Sequence, residues 1–148
     1  MGKKGTIIWA VKALLFNKEG SLLALRRVPS DLYLPGAWDL PGGKVEFGEA
    51  PGEAVVRETM EESGLHAQVL GTLDFWMNFP VPEVQYIGIV FVCVSSQTEV
   101  ILSEEHDTFS WVPHENIEHF FKGHPGLEEN VVHCDWDKIQ QMISAHKK

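Results

Sequence analysis

The chain has 148 residues, a length that suits one domain, residues 1–148, with a sizeable core. Its formal net charge of −9 argues against a nucleic-acid polymer or an anionic membrane as the main partner, because both call for a basic surface. Phosphates remain compatible with an acidic chain where a bound cation reverses the sign locally. The two cysteines, Cys93 and Cys134, lie far apart and in no CxxC arrangement, which suits free thiols in a reducing compartment better than a disulfide framework or a zinc site.

In chain order, Thr6–Phe16 is an apolar run broken by Lys12. It lacks a small-residue cleavage site, so the reading is a buried strand rather than a secretory leader. No stretch approaches the ~20 apolar residues of a membrane span, and a cytoplasmic location is expected. Asn17-Lys18-Glu19-Gly20 supplies turn chemistry, and Ser21–Arg27 is the returning strand. Residues 28–37, with Pro29, Pro35 and Gly36, form a loop. Trp38–Leu40 is a short extended piece that runs into Pro41-Gly42-Gly43.

Pro51–Ser63 is the clearest helix. Pro51 suits the first helical position, Glu53 the positive N-terminal end and Gly64 the stop, although Ala50 is a poor cap. Extended segments follow at 66–77 and 84–95, separated by a loop containing Pro80 and Pro82. A strand at 107–112 ends at Pro113. The last helix spans 136–147 behind Asp135, and Trp136, Ile139, Met142 and Ile143 give it one apolar face for packing on a sheet.

On a helical wheel Glu58, Glu61 and Glu62 share one arc bordered by Arg57. Val56, Thr59, Met60 and Ser63 fall opposite and are expected to face a sheet. Three carboxylates spaced this way repel by roughly 0.2–0.5 kcal/mol per pair, which one arginine cannot cancel. A hard cation such as magnesium, with its preference for carboxylate oxygens and water, would relieve that repulsion. A solvated acidic helix face is the commoner explanation for three glutamates taken alone, and the flanking residues decide against it. Gly42 and Gly43 let the preceding backbone come close.

Taken together these residues resemble the Nudix box, G-x5-E-x7-R-E-U-x-E-E-x-G-U with U a bulky aliphatic residue. Gly43, Glu49, Arg57, Glu58, Glu61, Glu62, Gly64 and Leu65 match at the right spacing, and Thr59 at the first U position is the one departure. Leu22–Arg27 and Trp38–Gly43 look like the segments before the box in MutT-like members. Glu105-His106 ahead of Trp111 resembles the late glutamate-bearing loop.

The resemblance implies an α+β fold, an α/β/α sandwich with a mixed central sheet and a catalytic loop–helix–loop. It implies metal binding by Glu58, Glu61, Glu62, the Gly42 carbonyl and Glu105, with Mg2+ as the ion and Mn2+ as a substitute. An Arg57–Glu49 ion pair is expected to brace the helix against the loop. Glu58 and Glu105 are both candidates for the general base, and the sequence does not choose between them. Arg26 and Lys44 are candidates for phosphate contacts. Phe75, Trp76, Phe79 and Tyr86 are candidates to stack a nucleobase. Pro80 lies 16 residues after Gly64, near where some ADP-ribose hydrolases carry a proline, but its surroundings do not match that subgroup. His114 and His119 are five apart, not the four of a zinc-binding HExxH helix, and the remaining histidines show no ligand spacing.

Three functions compete. The first is a MutT-like pyrophosphohydrolase giving a nucleoside monophosphate and pyrophosphate, favoured by the tract Leu40–Glu49. The second is a hydrolase of another nucleoside diphosphate derivative, ADP-ribose or a sugar nucleotide. The third is a non-catalytic nucleotide-binding module, which has no need of the carboxylates that are all present here. In each case the partner is a small nucleotide. A homodimer is compatible with the sequence, which does not specify the oligomeric state.

Overall fold

The strands form because β-branched and large apolar side chains alternate between two buried faces, which only a sheet covered on both sides accommodates. The computed structural model describes residues 2, 4–32, 34–124 and 127–147. Within them run β1 (Thr6–Phe16), β2 (Leu22–Arg27), β3 (Trp38–Asp39), β4 (Gly42–Lys44), α1 (Pro51–Ser63), β5 (Gln68–Val81), β6 (Val84–Val94), β7 (His106–Val112), α2 (Ile117–Phe121) and α3 (Trp136–His146). A 3-10 turn at His114–Asn116 and a π-helical turn at Glu128–Val132 flank α2. Of the predicted loop 28–37, Tyr33 lies outside the described residues.

The sheet is mixed, in the order β3-β2-β1-β6-β5, with β4 on β1 and β7 on β2. β1 and β6 pair in parallel along their whole length, and the other pairings are antiparallel. Odd residues of β1 and β6, such as Val11, Ala13, Leu15, Ile89 and Phe91, pack under Ala54 and Val55 of α1. Even residues, Leu14, Phe16, Val90 and Val92, meet Phe121, Val131 and Ile139 on the opposite face. The result is the expected three-layer α/β/α sandwich. No helix among the described residues is long and apolar enough to cross a membrane.

Three expectations change. First, the segment predicted at 66–77 extends as β5 through Pro80 to Val81, and only Pro82 and Glu83 turn the chain. β5 is an edge strand, and Pro80 falls in its register irregularity between Asn78 and Val81, where a proline is tolerated. Second, Gly42–Lys44 is a short strand on β1 rather than only a turn. Third, the inward face of α1 is Ala54, Val55, Thr59, Glu62 and Ser63, whereas Met60 is exposed. Sheet packing has rotated the helix so that a carboxylate, not the thioether, lies in the seam. The small elements between residues 114 and 132 carry too few turns to show a period in the sequence.

The ends of α1 follow local chemistry. Ala50 has no capping side chain, and its own N–H donates instead to Glu53 Oε1 at 2.9 Å. Gly64 takes a left-handed φ of 73° and donates to the Met60 carbonyl at 2.9 Å, closing the helix. Asp135 caps α3, accepting from the Lys138 N–H at 3.0 Å. The face of Trp136, Ile139, Met142 and Ile143 packs on the sheet as its spacing indicates.

Candidate active site

β4 brings the start of the box against the middle of β1, and α1 then runs back over it. Gly43 sits so close to α1 that a Cβ there would lie 2.5 Å from Glu58 Cδ, so any side chain would displace that carboxylate. Next to it, the Gly42 N–H donates to Glu62 Oε1 at 2.8 Å. The other Glu62 oxygen lies 3.9 Å from His106 Nδ1 at the start of β7. Ligand atoms of Glu62, Glu105 and His106 all come within 4.8 Å of one another.

Arg57 organises the loop side. Its Nε and Nη2 reach Glu49 at 2.7 and 2.9 Å, its Nη2 also donates to the Lys44 carbonyl at 3.1 Å, and its Nη1 meets Glu58 at 3.0 Å. Glu61 is largely solvent-facing and takes a longer 3.3 Å contact from the same Nη1. The guanidinium holds the Glu49 carboxyl down to about 2, and Arg57 itself is raised by Glu49 and Glu58.

The electrostatics of the inner carboxylates run the other way. Burial pushes Glu62 up to about 8, against the Gly42 N–H and the Lys12 ammonium that pull it down, with Glu58 and Glu105 adding repulsion. Glu58 is raised first by burial, then held back by Arg57 and raised again by Glu61 and Glu105. Two buried carboxyls, Glu58 and Glu62, whose ionisation is discouraged in this way fit a divalent cation, whose charge removes that cost. His106 adds to the fit. Burial lowers its pKa, so the ring is neutral near pH 7, and its buried Nδ1 has no hydrogen-bond partner among the described residues.

Behind this cluster a cavity of about 460 Å3 opens on the other face of the sheet. Gly42, Gly43 and Lys44 form the part of its lining that adjoins the acidic cluster. β5 and β6 give it Trp76, Asn78, Pro80 and Tyr86, and the C-terminal segment gives it Leu127 and Asn130. Trp76 lies over Gly88, where a Cβ would fall 1.8 Å from the indole ring. Lys12, Asp39 and Arg27 also line the cavity and are bound to one another, Lys12 Nζ to Asp39 Oδ1 at 2.7 Å and Arg27 Nη2 to Asp39 Oδ2 at 3.0 Å.

The structure therefore gathers Glu49, Arg57, Glu58, Glu62, Glu105 and Gly42 in one place, with Glu61 at its exposed rim. Lys44, Trp76 and Tyr86 reach the cavity. Arg26 does not: it forms a two-pronged pair with Asp107 at 2.9 and 3.1 Å on the surface. Phe75 and Phe79 are also absent from the lining, because alternate β5 side chains face opposite sides and Trp76, Asn78 and Pro80 take the cavity side. Sequence reasoning passed over His106, Lys12, Asp39, Asn78 and Asn130. A lysine in the middle of an apolar strand was a signal for Lys12, and adjacency to Glu105 was one for His106. The two asparagines carried none.

An α/β/α sandwich whose loop–helix–loop lays carboxylates beside a sheet cavity defines a hydrolase of the Nudix class. The chain belongs to the NUDIX domain family, whose pattern it matches over residues 7–133. It is similar to the nucleoside triphosphatase NudI of Escherichia coli O139:H28, with 29% identity over 116 residues that span 72% of this chain and 82% of that protein. It is similar in structure to a MutT protein from Methanosarcina mazei Go1, at 31% identity and a TM-score of 0.65, covering 99% of this chain and 100% of that one. A C. elegans Ap4A hydrolase shares the fold at 19% identity and a TM-score of 0.65, over 94% of this chain and 96% of the other.

Proposed function

We propose that this chain is a Mg2+-dependent pyrophosphohydrolase of nucleoside triphosphates, releasing a monophosphate and pyrophosphate. One observation carries the reading: the strand Gly42–Lys44 is shared by the acidic cluster and by a cavity with an indole, a phenol and two amides on its walls. A volume of about 460 Å3 lies in the range of small-molecule sites. A base held among Trp76, Tyr86, Asn78 and Asn130 leaves its phosphates directed toward Lys44 and the carboxylates. The nucleoside triphosphatase named among the relatives supports the same substrate class.

Glu58, Glu62, Glu105 and the Gly42 carbonyl, with Glu61 at the rim, would hold the ion, Mn2+ substituting for Mg2+. The chemistry such an ion would supply is charge neutralisation at phosphate oxygens and a more acidic water. Glu58 or Glu105 is placed to take the proton of the attacking water as its oxygen bonds to phosphorus and the anhydride P–O bond breaks, the bridging oxygen leaving with the other phosphate fragment. Arg57 keeps Glu58 aimed and ties it to the Glu49 loop, so the carboxylate stays ordered through the cycle. Lys44 neutralises the departing phosphate.

The test is product analysis of the purified chain with Mg2+ across nucleoside triphosphates, ADP-ribose and sugar nucleotides. The expected products are a monophosphate and pyrophosphate from a triphosphate, with turnover lowered at least a hundredfold in Glu58→Gln. Preferential cleavage of ADP-ribose or a sugar nucleotide would replace this reading with the second one. Nucleotide binding with no turnover on any substrate would leave a binding module.

A further inference from the structure

The α1 layer covers only part of its sheet face. It lies over Val11, Ala13 and Leu15 of β1 and leaves the N-terminal half of that strand open. There Ile7 and Trp9 of β1 stand beside Phe75, Met77 and Phe79 of β5, with exposures of 45–61%. The register joins them into one surface. Trp9 is opposite Ile87 of β6 and Ile87 is opposite Met77, so three adjacent strands present apolar side chains in a row. Gln85, the polar residue of this face on β6, donates its amide N–H to Met77 Sδ at 2.7 Å.

At the roughly 150–250 Å2 that a large side chain presents, these exposures leave an apolar patch of roughly 550 Å2. That is the upper end of what a monomer ordinarily shows. With its rim it approaches the ~800 Å2 per partner that a stable interface buries.

We infer that a second copy of this chain covers this face, the two patches packing together about a twofold axis. Charge selects that occupant. The chain carries −9 overall, so two copies repel through most of their surfaces, yet none of the five exposed residues is charged. An isologous contact here sets neutral against neutral and apolar against apolar. A basic partner gains nothing from this patch. The geometry also separates face packing from edge pairing. β5 shifts register between Val69 and Gly71, between Thr72 and Asp74, and between Asn78 and Val81, and such irregularities blunt an edge strand against adding a neighbour. The opposite side of β5 lines the cavity through Trp76 and Asn78, so the dimer would stiffen a substrate wall from behind.

Sedimentation velocity on the full chain tests this. The unmodified protein should sediment at twice the chain mass at tens of micromolar. Met77→Glu and, independently, Phe75→Ser should shift it to the monomer, with thermal midpoints near that of the parent. Leu32→Glu, a fully exposed position outside the patch, should leave the dimer intact. Hydroxyl-radical footprinting reads the same contact without substitution, since Met77 should oxidise severalfold more slowly above the dimer's dissociation constant than below it. A monomer throughout the range overturns the proposal, as does a dimer that survives both patch variants or a Met77 oxidation rate independent of concentration.

Discussion

Glu62 shows most plainly how position, not residue type, sets chemistry. Its carboxyl titrates near 4.5 when free and is pushed by burial to about 8 in the folded, metal-free chain. Between those values the folded state holds a proton that the unfolded state has released. The stability this group contributes is therefore full below about pH 4.5 and is lost as pH rises through about 8. In a chelating buffer the thermal midpoint should fall over that window, and Glu62→Gln should flatten the slope. Added Mg2+ should raise the midpoint most at the alkaline end, where the ionised carboxylate is available to it. Equal slopes in the parent and Glu62→Gln would refute the assignment. Thr59 offers a second test at this scale. It fills an aliphatic position of the box and is fully buried, but its hydroxyl has no hydrogen-bond partner among the described residues. Thr59→Val keeps the shape and removes the unpaired group, so it should stabilise the chain by about 1 kcal/mol, read as a higher urea midpoint.

At the scale of elements, the pleat of β5 decides which aromatic serves the cavity. Trp76 falls on one side and Phe75, Met77 and Phe79 on the other, and Gly88 across the pair leaves room for the indole to lie on the strand. Gly88→Ala would drive a methyl into that ring. The expected cost is about 1–3 kcal/mol from overpacking, with a raised KM because the displaced indole narrows the cavity. A variant with unchanged KM and unchanged stability would show that Trp76 does not form this wall. α1 makes a related point. Its length and caps suit a surface helix, yet the sheet turns it until Glu62 enters the seam and meets the Gly42 N–H. The helix and the β4 strand are thus a single unit, each lining up the other's polar groups.

Over the whole molecule, the cavity exists because the C-terminal segment folds back across the sheet. Leu127 and Asn130 come from around the π-helical turn and face Trp76 and Asn78, about fifty residues earlier in the chain. Asn130 is only half-buried, so truncating it should disturb contacts with substrate more than the fold. Asn130→Ala is expected to raise KM several-fold, the worth of about one hydrogen bond, while kcat and the thermal midpoint stay near the parent values. A loss of kcat at constant KM would contradict a binding role. With a net charge of −9, the molecule would receive the proposed anionic substrate at its acidic site only with something positive between them, so turnover should be lost on chelation and restored by added Mg2+.

The sequence by itself determined what is local or strictly periodic. It specified the bounds of β1 and α1, the Gly64 stop, the Asp135 cap, and the spacing that carries Glu49, Arg57 and Glu58 into one cluster, because turn preferences and helical repeats act within a few residues. Only the tertiary structure decided which groups from distant segments meet. Lys12, Asp39 and Arg27 became one network, His106 arrived beside Glu62, and Asn78 and Asn130 came to face one cavity. Those contacts depend on strand register and on the angle at which α1 and the C-terminal helices lie across the sheet. Register and packing angle are set by the fit of whole faces, which no short stretch of residues encodes.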